Sequence, residues 1–355
     1  MFRRCWFLAA TVLAAFVPPL LFAQTPAPDD STKVPPTPLP PEWTDISVEP
    51  TEPHVIPSAP NLPAIKIPNF ASCPIAELQH LAPGLAHLKP AQNQSELTKL
   101  LDQIGAVTVE ISRKTPNLIS HESVVSERGG VKTRQNFSYL VLQHTLDSKN
   151  LVLDEFRVDI ATGEKFQTEF IDKTPASNSP APAPSLLELP PQGGIVPPTG
   201  GPPLSQGFVN DWLYFYPSNR RQAEFRYLGQ QKVDGHRTQV VAFAQKPGSV
   251  RLPATIEYRG KLFPVFVQGV AWVNASDFRI LRLQVDLLSP PPGVPLRQMT
   301  ADIQFAQTPI VEMTSPLWLP SQVVVTTNLG GVALRESHTY SDYRLFRTRS
   351  KIVMK

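Results

Sequence analysis

Residues 262–288 read LFPVFVQGVAWVNASDFRILRLQVDLL, and this stretch decides the fold. In its second half Leu281, Leu283, Val285 and Leu287 alternate with Arg282, Gln284 and Asp286, a period of two that makes one face of a strand apolar and leaves the other wet. In its first half the alternation disappears. Phe266, Val270 and Trp272 fall on one face, and Val265, Val267, Ala271 and Val273 on the other. A run apolar on both faces predicts a central strand, Leu262 to Val273, covered from two sides. Asn274-Ala275-Ser276-Asp277 supplies the turn between the two halves, so they are antiparallel neighbours.

The same pattern spreads in both directions. Downstream, Met299, Ala301, Ile303 and Phe305 alternate with Thr300, Asp302 and Gln304. Leu319–Thr327 and Leu334–Phe346 then flank Asn328-Leu329-Gly330-Gly331. Upstream, Ala223–Lys232 and Arg237–Gln245 flank Asp234-Gly235, a pair suited to the positive φ angles of a tight hairpin. Earlier strands begin at Gln135, with Phe137, Tyr139 and Val141 alternating, followed by Leu151–Ile160 and Lys165–Ile171. Six or more strands joined by short turns imply antiparallel pairing, since parallel neighbours need crossovers of a dozen residues or more.

Helices are few. Asn93 reads as an N-cap with Glu96 three residues on, then Leu97, Leu100, Leu101 and Ile104 on one face and Gly105 as the stop. Ile75, Leu78 and Leu81 form a shorter stretch interrupted at Pro83-Gly84. Gln206–Tyr216 places Phe208, Trp212 and Phe215 at helical spacing and ends at Pro217, which reads as a short helix with a strand as the alternative. Helices on one face of an antiparallel sheet make the class α+β.

The ends are different in kind. Arg3 and Arg4, the apolar run Trp6–Phe22 and the small Ala23 read as an export signal over residues 1–24. Residues 25–69 form a proline-rich leader, with thirteen of the forty prolines between Thr25 and Pro68; such a composition favours extended chain and buries too little to fold. Residues 174–203 carry ten more prolines and read as a disordered insertion in one α+β domain spanning residues 70–347. Residues 348–355 form a basic tail. No segment after the signal approaches the ~20 consecutive apolar residues of a membrane-spanning helix. The expected location is therefore the periplasm or the outside of a cell.

Composition excludes several functions. With 33 Lys and Arg against 30 Asp and Glu, two of the basic residues in the signal, the exported chain is almost neutral and lacks the basic footprint of a nucleic-acid binder. Cys5 lies in the signal, so Cys73 is the one thiol left and no internal disulfide forms. The catalytic and metal motifs sought are absent: His121-Glu122 has no second histidine four residues after the first, and there is no paired Cys-x-x-Cys, nucleophile elbow or phosphate loop. Cys73 near His80 and His87 has no third orienting group. His338, Tyr340 and Asp342 share a strand face and read as solvated sheet surface. Trp212, Tyr214, Phe215 and Tyr216 read as core of an amphipathic helix. The reading is thus non-enzymatic, with no cofactor and no metal.

The hairpin FRYLGQQKVDGHRTQVVAF at 225–243, the strand pair GVAWVNASDFRILRLQVDLL at 269–288 and LWLPSQVVV at 317–325 together resemble the LolA-like periplasmic lipoprotein-carrier superfamily and a group of exported bacterial proteins of unknown role. The resemblance covers about the C-terminal third. It implies a curved, half-barrel-like sheet wrapped around helices, with acyl chains or lipid-modified partners held in the apolar concavity. No residue of specific role carries over. The function expected is binding of a lipid, acyl chain or hydrophobic partner segment, with Phe225, Tyr227, Phe243, Phe266, Trp272 and Leu283 as groove candidates. A cell-envelope scaffold or adhesion module on a proline-rich stalk is the alternative.

Overall fold

The structure is a computed structural model that describes residues 67–145, 151–167, 194–196, 204–206, 208–250, 254–258 and 261–346. The export signal, nearly all of the proline-rich leader, most of the 174–203 insertion and the basic tail lie outside the described residues. In chain order the elements are α1 (Ile75–Leu81), β1 (Lys89–Pro90), α2 (Leu97–Lys114), β2 (Leu118–Arg128), β3 (Val131–Thr145), β4 (Leu151–Asp159), β5 (Lys165–Gln167), β6 (Gly194–Val196) and β7 (Leu204–Gln206). After a 3-10 segment, Phe208–Phe215, come β8 (Ala223–Val233), β9 (His236–Gln245), β10 (Ala254–Tyr258), β11 (Lys261–Val265) and β12 (Val267–Asn274). β13 (Ile280–Leu287), β14 (Leu296–Thr308), β15 (Leu317–Leu329) and β16 (Val332–Leu345) complete the fold.

Twelve strands form one curved antiparallel sheet in the order β1-β8-β9-β12-β13-β14-β15-β16-β2-β3-β4-β5, and the class is α+β. The sheet is open, with β1 and β5 at its edges. Its joint is the pairing of β16 with β2, which docks the N-terminal hairpins onto the last strand. The Asp234-Gly235 turn takes positive φ at both residues, 47° and 80°, the geometry that matches the twist of the flanking strands.

The inner face of the sheet is covered by α2 and the 3-10 segment, which bury Leu100, Leu101, Ile104, Trp212 and Phe215 against Val241, Phe243, Leu283, Ile303 and Val323. A second, smaller cluster lies on the outer face, where Phe70, Leu78 and Leu85 cover Leu228, Val240, Val270 and Trp272. Gln268 ties that cover down, accepting the Phe70 N–H at 2.9 Å and donating to the Pro68 carbonyl at 3.0 Å. β12 is therefore buried on both faces from Val267 to Val273. Gly269 belongs in it because a Cβ there would lie 2.1 Å from the Gln284 carbonyl oxygen and 2.7 Å from the Phe243 ring.

Five expectations need correction. The single strand expected over Leu262–Val273 breaks at Phe266: Lys261–Val265 pairs with β10 in a separate four-stranded sheet, and only Val267–Asn274 is central. Pro264 has no N–H to donate, which suits the edge position that β11 takes. That small sheet also holds a parallel pair, β10 with β6, not foreseen from turn spacing. Gly105 does not stop its helix, which runs on to Lys114. The glycine instead permits close approach, since a Cβ there would meet the Arg220 guanidinium at 2.5 Å and the Phe215 carbonyl at 3.2 Å. Asn93 precedes the helix by one more turn, its Oδ1 accepting the Ser95 N–H, and Glu96 is the first flanking residue. Finally, the sheet's N-terminal block begins at Leu118 with β2, well before Gln135.

Candidate functional site

Strand register sorts the inner face into two halves. Across β8, β9, β12 and β13, Phe225 pairs with Phe243 and Gly269 with Val285, while Tyr227 pairs with Val241 and Ala271 with Leu283. The rows continue through Ala301 and Ile303 on β14 to Val325 and Val323 on β15. This half is apolar.

The next strand changes character. Val325 faces Glu336 and Val323 faces His338 on β16; Tyr340 then faces Glu122 on β2. On β3 and β4 the rows run from Phe137 and Tyr139 to Asp159 and Arg157, and from Val141 to Glu155. Glu122, Glu155, Arg157 and His338 are fully buried, and Glu336 nearly so. The inward positions are thus charged where they were apolar a few strands away.

Arg157 is the hub. Its Nη2 donates to Glu122 Oε1 at 2.9 Å and its Nε to the other Glu122 oxygen, a bidentate fork. Its Nη1 lies 3.6 Å from Glu155, and its guanidinium sits 5.0 Å from the centre of the Tyr139 ring. His338 Nδ1 meets Glu122 Oε1 at 2.9 Å, and its Nε2 lies 3.8 Å from Glu336. Burial works against charge on Glu122, but Arg157 and His338 outweigh it and hold the carboxyl down at about 2. Burial likewise opposes protonation of His338, yet the Glu122 and Glu336 carboxylates raise its pKa above the ordinary value.

The 3-10 segment spans both halves. Glu336 accepts the N–H of Ser205 at 3.1 Å, and Glu155 accepts that of Val209 at 2.8 Å. Asn210 donates to the Leu153 carbonyl at 2.7 Å. The Phe208 ring meets the His338 imidazole edge-on at 5.1 Å. Further along, Trp212 stacks on Phe305 at 5.5 Å, and Tyr214 stacks on Phe243 at 4.7 Å. Every residue from Phe208 to Phe215 is buried. Asp211 is among them, and burial with the nearby Glu155 charge pushes its carboxyl well above the usual range.

Of the expected groove residues, Phe225, Tyr227, Phe243 and Leu283 share the inner face and its core. Trp272 lies on the outer face, in the other cluster, with the Arg282 guanidinium 4.8 Å from its ring centre. Phe266 sits at the break between β11 and β12, half-buried. The aromatic stretch Trp212–Phe215 is core, as its spacing implies.

The charged half is what sequence reading misses. His338 reads as solvated surface, but it is completely buried, with the Phe208 ring of the 3-10 segment packed edge-on against its imidazole. Asp342 parts company with it through the irregularity between Ser341 and Arg344, and is exposed. The signal that could have found the cluster is parity. Ser120, Glu122 and Ser126 share the inward phase of Leu118 and Val124, as Glu336 and His338 share that of Leu334.

Among the described residues no group of three or more His, Cys, Asp or Glu is placed to hold a metal ion. No described helix is long and apolar enough to cross a membrane. No family model and no curated protein matches the chain. Among solved structures the chain is similar to a DUF1329 family protein from Desulfovibrio piger, at 13% identity and TM-score 0.36, covering 71% of this chain and 94% of that one. It is similar also to a LolA superfamily protein from Nitrosomonas europaea, at 12% identity and TM-score 0.31, over 73% of this chain and 97% of that one. A third is lipoprotein LppX of Mycobacterium tuberculosis, at 8% identity and TM-score 0.23, over 69% and 95% respectively.

Proposed function

We propose that this is an exported, non-enzymatic protein that binds an apolar chain, whether lipid, acyl chain or hydrophobic partner segment, on the inner face of its sheet. Residues 1–24 direct export, the 25–69 leader acts as a tether, and 174–203 is an insertion in the single folded domain. The observation that supports this is the cover of the apolar half. Between β7 and β8 it is a 3-10 segment of eight residues, Phe208–Phe215, in place of a long α-helix. Short 3-10 stretches have poorer hydrogen-bond geometry than α-helices.

Magnitudes make exchange reasonable. Burying Phe208, Trp212, Leu213 and Phe215 contributes on the order of 10 kcal/mol, at ~1.5–3 kcal/mol per side chain. An acyl chain of ~16 carbons offers a comparable amount at ~0.8 kcal/mol per buried methylene. A ligand therefore replaces the segment against Phe225, Tyr227, Phe243 and Leu283 without great loss.

The test is native mass spectrometry of the exported protein, followed by titration with cis-parinaric acid, a fluorescent fatty acid. A stoichiometric complex that quenches tryptophan emission, and that weakens in Phe243→Asp, is expected. A protein that carries no apolar ligand, takes up no probe and pellets with the cell envelope would overturn the reading in favour of a scaffold.

A further inference from the structure

We propose that the occupant of this groove is a polypeptide segment of a partner protein, aromatic-rich and free of negative charge. The inference rests on the groove reading above and specifies its ligand.

The charged half grips main chain. Glu336 and Glu155 accept backbone N–H groups, from Ser205 and Val209, and one side chain adds to this, the Asn210 Nδ2 donating to the Leu153 carbonyl. Immediately before, β7 pairs with β6 by main-chain bonds. The resident segment is therefore held as a bound peptide is held, by its backbone at one end and its aromatic side chains at the other.

An anionic lipid fits poorly. The carboxyls facing the charged half are Glu122, Glu155, Asp159, Glu336 and Asp211, against Arg157 and His338. Arg157 is engaged by Glu122 and Glu155, and His338 by Glu122. Among the described residues no cation is left there to receive a phosphate or carboxylate headgroup. A bare acyl chain could fill the apolar half, but it would strip two buried carboxylates of their N–H donors. An unsatisfied buried acceptor costs ~1–3 kcal/mol, more when charged. Glu336 Oε1 already has no partner, nor does Asn210 Oδ1. A peptide restores these bonds in kind.

The resident segment is also an imperfect ligand. It carries Asp211, a buried carboxyl met by the Tyr214 hydroxyl at a long 3.4 Å and disfavoured by burial and the Glu155 charge, so a partner with a neutral residue at that position binds better. The partner's apolar side chains follow the spacing of Phe208, Trp212 and Phe215.

The experiment uses the full exported chain and two capped, fluorescently labelled peptides, LSQGFVNDWLYFY, which repeats residues 204–216, and LSQGFVNNWLYFY, which replaces its aspartate. Anisotropy should show the second binding about tenfold more tightly. Trp212→Ala in the protein, which loosens the resident segment, should strengthen both. Added to Trp212→Ala, in which the resident segment is already loosened, Glu155→Gln with Glu336→Gln should weaken peptide binding about tenfold, since hydrogen bonds to charged groups exceed neutral ones, while cis-parinaric acid binding, which uses neither carboxylate, should not weaken. Circular dichroism checks that each variant folds. Uptake of cis-parinaric acid that neither peptide displaces, or peptide binding indifferent to both glutamates, overturns the inference while the groove survives. If neither peptide nor fatty acid binds, even in Trp212→Ala, the groove reading falls and the inference with it.

Discussion

The inner face of one sheet solves burial in two ways. From β8 to β15 it uses Phe243, Leu283, Ile303 and Val323; from β16 to β4 it uses Glu336, His338, Glu122, Arg157 and Glu155. Strand geometry and depth of burial are alike in the two halves, but the energetics are not. The apolar half gains from every methylene removed from water and tolerates imprecision. The charged half has several kcal/mol of desolvation to offset and is stable only while each charge keeps its partner. What differs is the penalty for losing one member, which is graded in the first half and abrupt in the second.

The largest effect should follow from the hub. Arg157→Met leaves Glu122 and Glu155 buried with no guanidinium, and breaking a buried pair from one side costs about 3–5 kcal/mol. A urea titration would show this as a lower midpoint. Adding Glu122→Leu should return most of the loss, because an apolar pair of similar volume often matches a buried ion pair. If Arg157→Met unfolds no more readily than the parent, the two halves do not differ as described.

Leu283→Ala makes the matching cut in the apolar half. Leu283 is fully buried in the middle of the row shared with Tyr227, Val241 and Ala271. The expected loss is about 3 kcal/mol, transfer and cavity together. No second substitution should be needed to explain it, and a small apolar additive that enters the cavity should return part of the stability.

The two halves were unequally legible in the sequence, for the same physical reason. Hydrophobic alternation marks β13, where Leu283, Val285 and Leu287 point inward, and it fails in β2, where Ser120, Glu122 and Ser126 do. Inward polar residues look outward to any reading that equates burial with oiliness. The pairing of β16 with β2 was hidden too, because register between segments two hundred residues apart is set by packing and not by a local turn. The break at Phe266 has a local cause, Pro264, which lacks the N–H that a central strand would need. The candidate site was legible only as its apolar part.

A third, smaller effect tests whether partners, and not burial itself, hold the charged half. Asp286 is a half-buried carboxyl on the opposite face of β13, hydrogen-bonded to Thr300 and Gln284 and, among the described residues, with no guanidinium bonded to it. Burial first, and Asp302 after it, raise its pKa to about 6, where Glu122 with its partners is held at about 2. For a carboxyl raised in the fold, stability is full below the unfolded pKa and falls as pH rises through the folded one. The loss between about pH 4 and 6 is roughly 2–3 kcal/mol. Asp286→Asn should flatten that part of the pH–stability curve and stabilise the protein at pH 7 by about 1–2 kcal/mol. An unchanged curve would mean that Asp286 stays hydrated.

His338 offers the finest cut, since it is the member of the charged half whose ordinary pKa lies nearest neutrality. Its folded pKa is raised, so its contribution is complete below the unfolded value near 6.5 and disappears as pH climbs through the folded one. His338→Gln keeps a polar group beside Glu122 and removes the positive charge. Near pH 6 the variant should be less stable by about 1 kcal/mol or more, as for a charge-assisted hydrogen bond. As pH climbs through the folded pKa the gap should narrow, because the wild-type imidazole loses its charge there. Glu122 would keep Arg157 in both proteins, so acid unfolding should move only slightly upward in pH. The readout is the imidazole resonance of His338 followed by NMR, with a midpoint above 6.5. A midpoint below that value would mean that desolvation prevails over Glu122 and Glu336, that the ring is neutral when buried, and that Arg157 is the only lasting cation on this face.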